Sequence, residues 1–113
     1  MNDAAERIAT NIRKGVLEFC VLAVLDGQDM YGLELADQLG KKHLTASEGS
    51  LYPLLARMRD AGSVDTRWEA PDGGRPRRYY AITDLGRAQL EMFASVWWEI
   101  GPEVDELMKE RGK

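Results

Sequence analysis

Between two alternating stretches the chain reads Ala70-Pro71-Asp72-Gly73-Gly74-Arg75-Pro76, seven residues that no helix accommodates. On the near side Val64, Thr66 and Trp68 alternate with polar neighbours; on the far side Arg78, Tyr80 and Ile82 do the same. Two period-2 stretches joined by a Gly-Gly loop predict an antiparallel hairpin. It carries three arginines in four positions, Arg75, Arg77 and Arg78. A packed core needs none of them, whereas a hairpin tip aimed at a polyanion uses all three.

The rest of the chain reads as helix. Ile8, Ile12, Val16, Phe19/Cys20 and Ala23 recur at three- and four-residue spacing and predict a helix over 4–25, with Gly15 as a weak point. Asp26-Gly27-Gln28-Asp29 is a turn in which Gly27 is placed as a cap. A second helix is expected from Tyr31 to Gly40, with Leu33, Leu35, Ala36 and Leu39 inward. The third has two possible caps, a capping box at Thr45-Ala46-Ser47-Glu48 or Ser47 itself, then an apolar stripe of Leu51, Leu54, Leu55 and Met58, a bend at Pro53 and a stop at Ala61-Gly62. Thr83-Asp84 caps a long closing helix. The fold class expected is mainly α with a small β-hairpin, a winged helix-turn-helix plus a long C-terminal dimerisation helix. Residues 1–82 form the DNA-binding part with its N-terminal arm, and 83–113 the dimerisation helix, within one compact domain.

Charge supports a nucleic-acid partner despite a net −4. Residues 1–40 sum to −4 and 83–113 to −3, but 41–82 hold eight basic and five acidic side chains, +3. Local field, not the total, steers a protein to a phosphate backbone. One cysteine and one histidine make neither an intramolecular disulfide nor a common zinc site. Cys20 reads as a buried structural thiol and His43 as a solvated residue at a helix end. There is no phosphate-binding glycine loop and no nucleophile beside a base, so no enzyme and no cofactor are expected. No apolar run approaches the ~20 residues of a membrane span, and the N-terminus lacks a basic signal region. The expected location is the cytoplasm.

Short residues at the start of the third helix let its backbone approach a groove floor, and Ser47, Gly49 and Ser50 meet that need. Tyr52 lies too far round to join the apolar stripe, so its hydroxyl is a phosphate candidate, and Arg57 is a second one further along. In the wing, Arg75, Arg77 and Arg78 supply charge, while Gly73 and Gly74 permit a close approach to a minor groove. Alternation assigns Tyr80 to the core and Tyr79 to the surface. The closing helix repeats Phe93, Val96, Trp97, Ile100, Val104, Leu107 and Met108 every three or four residues. That is more apolar surface than a peripheral helix needs, and a two-fold partner would cover it. Trp98 lies about 100° round from Trp97. Gly101-Pro102 is expected to kink or divide this helix.

The order of these motifs resembles the short-chain branch of the PadR family of bacterial transcriptional regulators. Tyr31-Gly32, Gly-Ser-Leu-Tyr-Pro-Leu-Leu at 49–55, Arg57-Met58 and Gly62 carry the resemblance, with Gly-Gly-Arg-Pro-Arg-Arg-Tyr-Tyr at 73–80, Ile82-Thr83 and Gly86 downstream. It covers roughly residues 15–90. It implies a homodimeric repressor on a palindromic double-stranded DNA operator, released by a small molecule. By the same resemblance a planar aromatic ligand is expected to stack on Trp97, with Phe93 and Val16 or Phe19 lining the space; the other reading of Trp97, as plain dimer core, stays open beside it. Gly101-Pro102 departs from relatives, in which the helix runs through. Two other readings stay open, a winged-helix protein-interaction module without specific DNA binding and a ligand-binding protein whose DNA activity is secondary.

Overall fold

The computed structural model describes residues 3–44 and 48–112, with the side chain of Glu48 outside the description. Four helices and three short strands follow in the order α1 (Asp3–Gly27), β1 (Met30–Tyr31), α2 (Gly32–Lys41), α3 (Glu48–Asp60), β2 (Val64–Glu69), β3 (Arg77–Ile82) and α4 (Asp84–Glu110). The hairpin forms in the expected phase: Val64 opposes Ile82, Thr66 opposes Tyr80 and Trp68 opposes Arg78. Sequence reading missed β1. Met30 and Tyr31 pair antiparallel with Tyr80 and Tyr79, which makes a three-stranded sheet of order β1-β3-β2. Two residues are too few for alternation to be recognised, and Tyr31 precedes α2 rather than opening it.

The core lies where α1, α2 and α3 meet one face of the sheet. Val21, Leu22 and Leu25 come from α1, Leu35 and Leu39 from α2, and Leu51, Leu55 and Met58 from α3. Val64, Tyr80 and Ile82 close it from the sheet. Burying each such side chain contributes about 1.5–3 kcal/mol, so this cluster is the main source of cohesion. Tyr80 is buried as expected, while Leu33 is exposed and takes no part.

Helix α1 is apolar on two faces, and the periodicity picked out the less buried one, which meets the core only through Phe19 and Cys20. At 100° per residue, Val21, Leu22 and Leu25 share one side, and Ile8, Ile12, Phe19 and Ala23 share another. Ile8, Ile12 and Ala23 are exposed, and Phe19 stacks on Phe93 of α4 at 4.4 Å. The helix passes through Gly15 without interruption.

Two helix ends use left-handed residues. The α3 stop is as expected, with Gly62 at φ 86 and bonds from the Gly62 and Ser63 amides back to the carbonyls of Arg59 and Met58. At α2 the left-handed position falls not on Gly40 but on His43, φ 60, with the same pattern to Gly40 and Leu39. The capping box at residues 45–48 lies outside the described residues. Pro53 interrupts neither end of α3, since its missing N–H would have engaged only Gly49, in the first turn. Helix α4 likewise continues through Gly101-Pro102 as one element, which corrects the expected division. A proline removes one bond from a long helix and need not end it.

The start of α4 is pinned to the base of the hairpin. The Thr83 hydroxyl accepts from the Gly86 amide at 3.0 Å and donates to the Gly62 carbonyl at 2.7 Å. Gly86 is buried, and a Cβ there would strike the Ser63 carbonyl. Arg87 reaches Asp26 and Asp84, both at 3.3 Å, and ties α4 to the end of α1.

Candidate nucleic-acid interface

The wing and α3 converge on one concavity. Tyr31 and Gly32 at the start of α2, Tyr52 on α3, and Trp68, Arg77 and Arg78 of the wing line a cavity of about 240 Å³. Its closeness depends on Gly32. A Cβ at that position would lie 2.5 Å from the Tyr52 ring, so the glycine lets α3 dock against the start of α2. Tyr52 is 40% exposed beyond that contact.

The remaining candidates fall as follows. Gly49 and Ser50 are exposed in the first turn of α3, and Arg57 is exposed two turns later. Ser47 lies outside the described residues. Gly74 and Arg75 are exposed at the hairpin tip, where Gly73 takes φ 71. Arg77 and Arg78 leave the tip on opposite faces of β3. The Arg77 guanidinium sits 4.5 Å from the centroid of Tyr31, and that of Arg78 sits 5.1 Å from Trp68, its cross-strand partner. Tyr79 is half-buried, edge-on to Tyr31 at 5.5 Å and covered by Arg67 at 5.3 Å.

Pairing separates these arginines into two kinds. Arg67 bonds Asp29 at 2.7 Å and Glu69 at 3.2 Å, and the Glu69 and Asp29 hydrogen bonds hold its guanidinium still more firmly protonated than usual. Arg59 pairs with Asp60, Arg13 with Glu6, and Arg87 as above. Among the described residues no carboxylate pairs with Arg75, Arg77 or Arg78. The wing therefore carries positive charge that no carboxylate of the described residues neutralises.

A second cluster lies on α4. Phe19, Phe93 and Trp97 form a continuous aromatic stack, with centroid separations of 4.4 and 5.9 Å. Val16 is half-buried one turn before Phe19. Trp98 points away and is 72% exposed. Val96, Ile100, Val104, Leu107 and Met108 are all exposed. Two contributors escaped sequence reading, Tyr31 and Trp68. Tyr31 sits in an unrecognised strand, and Trp68 faces the core side of the sheet by alternation yet lies beyond the edge of the core.

A sheet of this order behind three helices, with a basic hairpin next to the third, defines a winged helix. The chain matches the transcriptional regulator PadR-like family over residues 21–92, and it belongs to that family. A PadR-like transcriptional regulator from Bacillus cereus is 39% identical, with a TM-score of 0.80 over 87% of this chain and 96% of that one. A PadR family regulator from Eggerthella lenta is 28% identical, with a TM-score of 0.81 over 94% and 93%. The Bacillus subtilis PadR structure in complex with operator DNA is 21% identical, with a TM-score of 0.63 over 70% of this chain and 46% of that one. At that identity the likeness is one of fold. No helix among the described residues is long and apolar enough to cross a membrane.

Proposed function

We propose that this chain is a sequence-specific DNA-binding repressor that acts as a homodimer on a palindromic operator. The observation that carries the reading is the unneutralised charge of Arg75, Arg77 and Arg78, on a wing that shares a concavity with α3. Gly49 and Ser50 present the start of α3 to the major groove. Tyr52 and Arg57 flank it as backbone contacts, Tyr79 offers one from the outer face of the wing, and Gly74 lets the wing tip approach the minor groove. The operator complex of the Bacillus subtilis relative supports this reading by analogy of fold. Two-fold symmetry sets the half-sites about one helical turn, ~34 Å, apart.

The dimer contact is assigned to the exposed face of α4, where Val96, Ile100, Val104, Leu107 and Met108 are joined by the second apolar face of α1. A planar aromatic ligand fits the end of the Phe19–Phe93–Trp97 stack, and its binding releases the operator. The same apolar face also suits a different protein partner, which is the alternative of an interaction module. Solution mass separates the two, since a monomer at micromolar concentration favours the module.

The first experiment is fluorescence anisotropy with DNA from upstream of the protein's own gene and a scrambled control, at two salt concentrations. The operator is expected to bind preferentially, with an affinity that falls steeply with salt. Replacing Arg75, Arg77 and Arg78 with alanine should weaken binding to every sequence. It should also flatten the slope of log K against log salt by up to about 2.7, roughly 0.9 for each phosphate that is no longer neutralised. An unchanged slope removes the wing from the interface.

A further inference from the structure

The sheet carries three guanidinium–ring stacks, and they differ in what surrounds the guanidinium. Arg67 lies over Tyr79 with its N–H groups engaged by Asp29 and Glu69. It is a closed unit. Arg77 over Tyr31 and Arg78 over Trp68 are stacked in the same way, yet no carboxylate meets either among the described residues. The Arg78 Nε is moreover buried without an acceptor. A ring satisfies only the face of a guanidinium. Its N–H donors lie in the guanidinium plane, and those that are not buried remain open to an anion.

The rings are themselves held. Tyr31 is paired in β1 opposite Tyr79, meets that ring edge-on, and its amide donates to the Glu34 carboxylate at 3.2 Å. Trp68 opposes Arg78 directly across the hairpin, and it is 63% exposed with no role in the core. A large aromatic left in water beside a cation is explained by that cation. Cross-strand placement fixes where the guanidinium stands, and stacking removes rotamers that a free arginine would have to give up on binding.

We propose that Tyr31 and Trp68 are positioning residues for DNA, each holding one wing arginine, Arg77 and Arg78 respectively, with its N–H edge presented to a backbone phosphate. This rests on the DNA-binding reading above. It gives Arg75, at the tip with no ring beneath it, a different part, as the adaptable contact.

The test is a pair of double-mutant cycles read by DNA affinity at fixed salt, with thermal melting of each variant alongside. Trp68→Ala and Tyr31→Leu are each expected to weaken binding about threefold to tenfold. Tyr31→Phe, which keeps the ring, should restore wild-type affinity. On an Arg78→Ala background Trp68→Ala should add nothing, and on an Arg77→Ala background Tyr31→Leu should add nothing. Trp68 is exposed enough that its cycle stays readable even if the Tyr31 variant melts early. Losses that add in both cycles, or single variants that bind like wild type, overturn the proposal while leaving the DNA-binding reading intact. Wild-type protein that binds no DNA at low salt overturns both.

Discussion

His43 is the residue whose backbone the sequence argued least well. It takes φ 60 at the end of α2, a region costing a non-glycine residue roughly 1 kcal/mol. Its carbonyl accepts from the Arg13 Nε at 2.8 Å, a bond that glycine would keep. His43→Gly should therefore raise stability by about 1 kcal/mol in urea unfolding; a loss would show that the imidazole itself contributes. Cys20 is the other residue with a clear expectation. Partial burial pushes its thiol above the ordinary cysteine range, because the thiolate is disfavoured there. A raised folded pKa contributes stability that is full below the unfolded pKa and is lost as pH rises through the folded one. Alkylation at pH 8 should be slower in the folded chain than in urea, and equal rates would contradict the burial.

Among the elements, the base of the wing depends on a single hydroxyl. Thr83 caps α4 and braces the end of α3 through Gly62, so its oxygen connects three elements. Thr83→Ala should cost about 1–2 kcal/mol, while Thr83→Ser should lose only a few tenths. Equal losses for the two would shift the role from the hydroxyl to the methyl group. Helix α4 shows why some element boundaries were legible and others were not. The cap at Thr83 is a local signal that the structure keeps. Gly101-Pro102 is also a local signal, yet the helix runs on, because one lost hydrogen bond is small beside the many that a 27-residue helix retains.

For the molecule as a whole, α4 adds no large fully buried side chain among the described residues and touches the core only near its start, through Gly86 and Leu90. Its long apolar face is exposed over Val96, Ile100, Val104, Leu107 and Met108, and the proposed dimer contact falls there. Val104→Asp with Leu107→Asp should convert a dimer to a monomer in analytical ultracentrifugation. Operator affinity should then fall at least about tenfold, as the two half-sites cease to be bound together. An unchanged mass would place the dimer contact elsewhere. The wing fold should survive, since neither residue touches the core.

Much of this protein was present in its local patterns. The hairpin phase, the Gly62 stop and the Thr83 cap rest on interactions that local sequence patterns report directly. What tertiary structure decided was everything settled between distant segments. It made a strand of Met30-Tyr31 by pairing it with β3, and it chose between two apolar faces of α1 by packing one against α2, α3 and the sheet. It also neutralised Arg67 with Asp29, 38 residues away, while leaving Arg77 and Arg78 on their rings with no carboxylate among the described residues. In the sequence Arg67 looks no different from the other seven arginines and lysines of the 41–82 segment. Only proximity in three dimensions separates a charge that holds the fold from one that faces a partner.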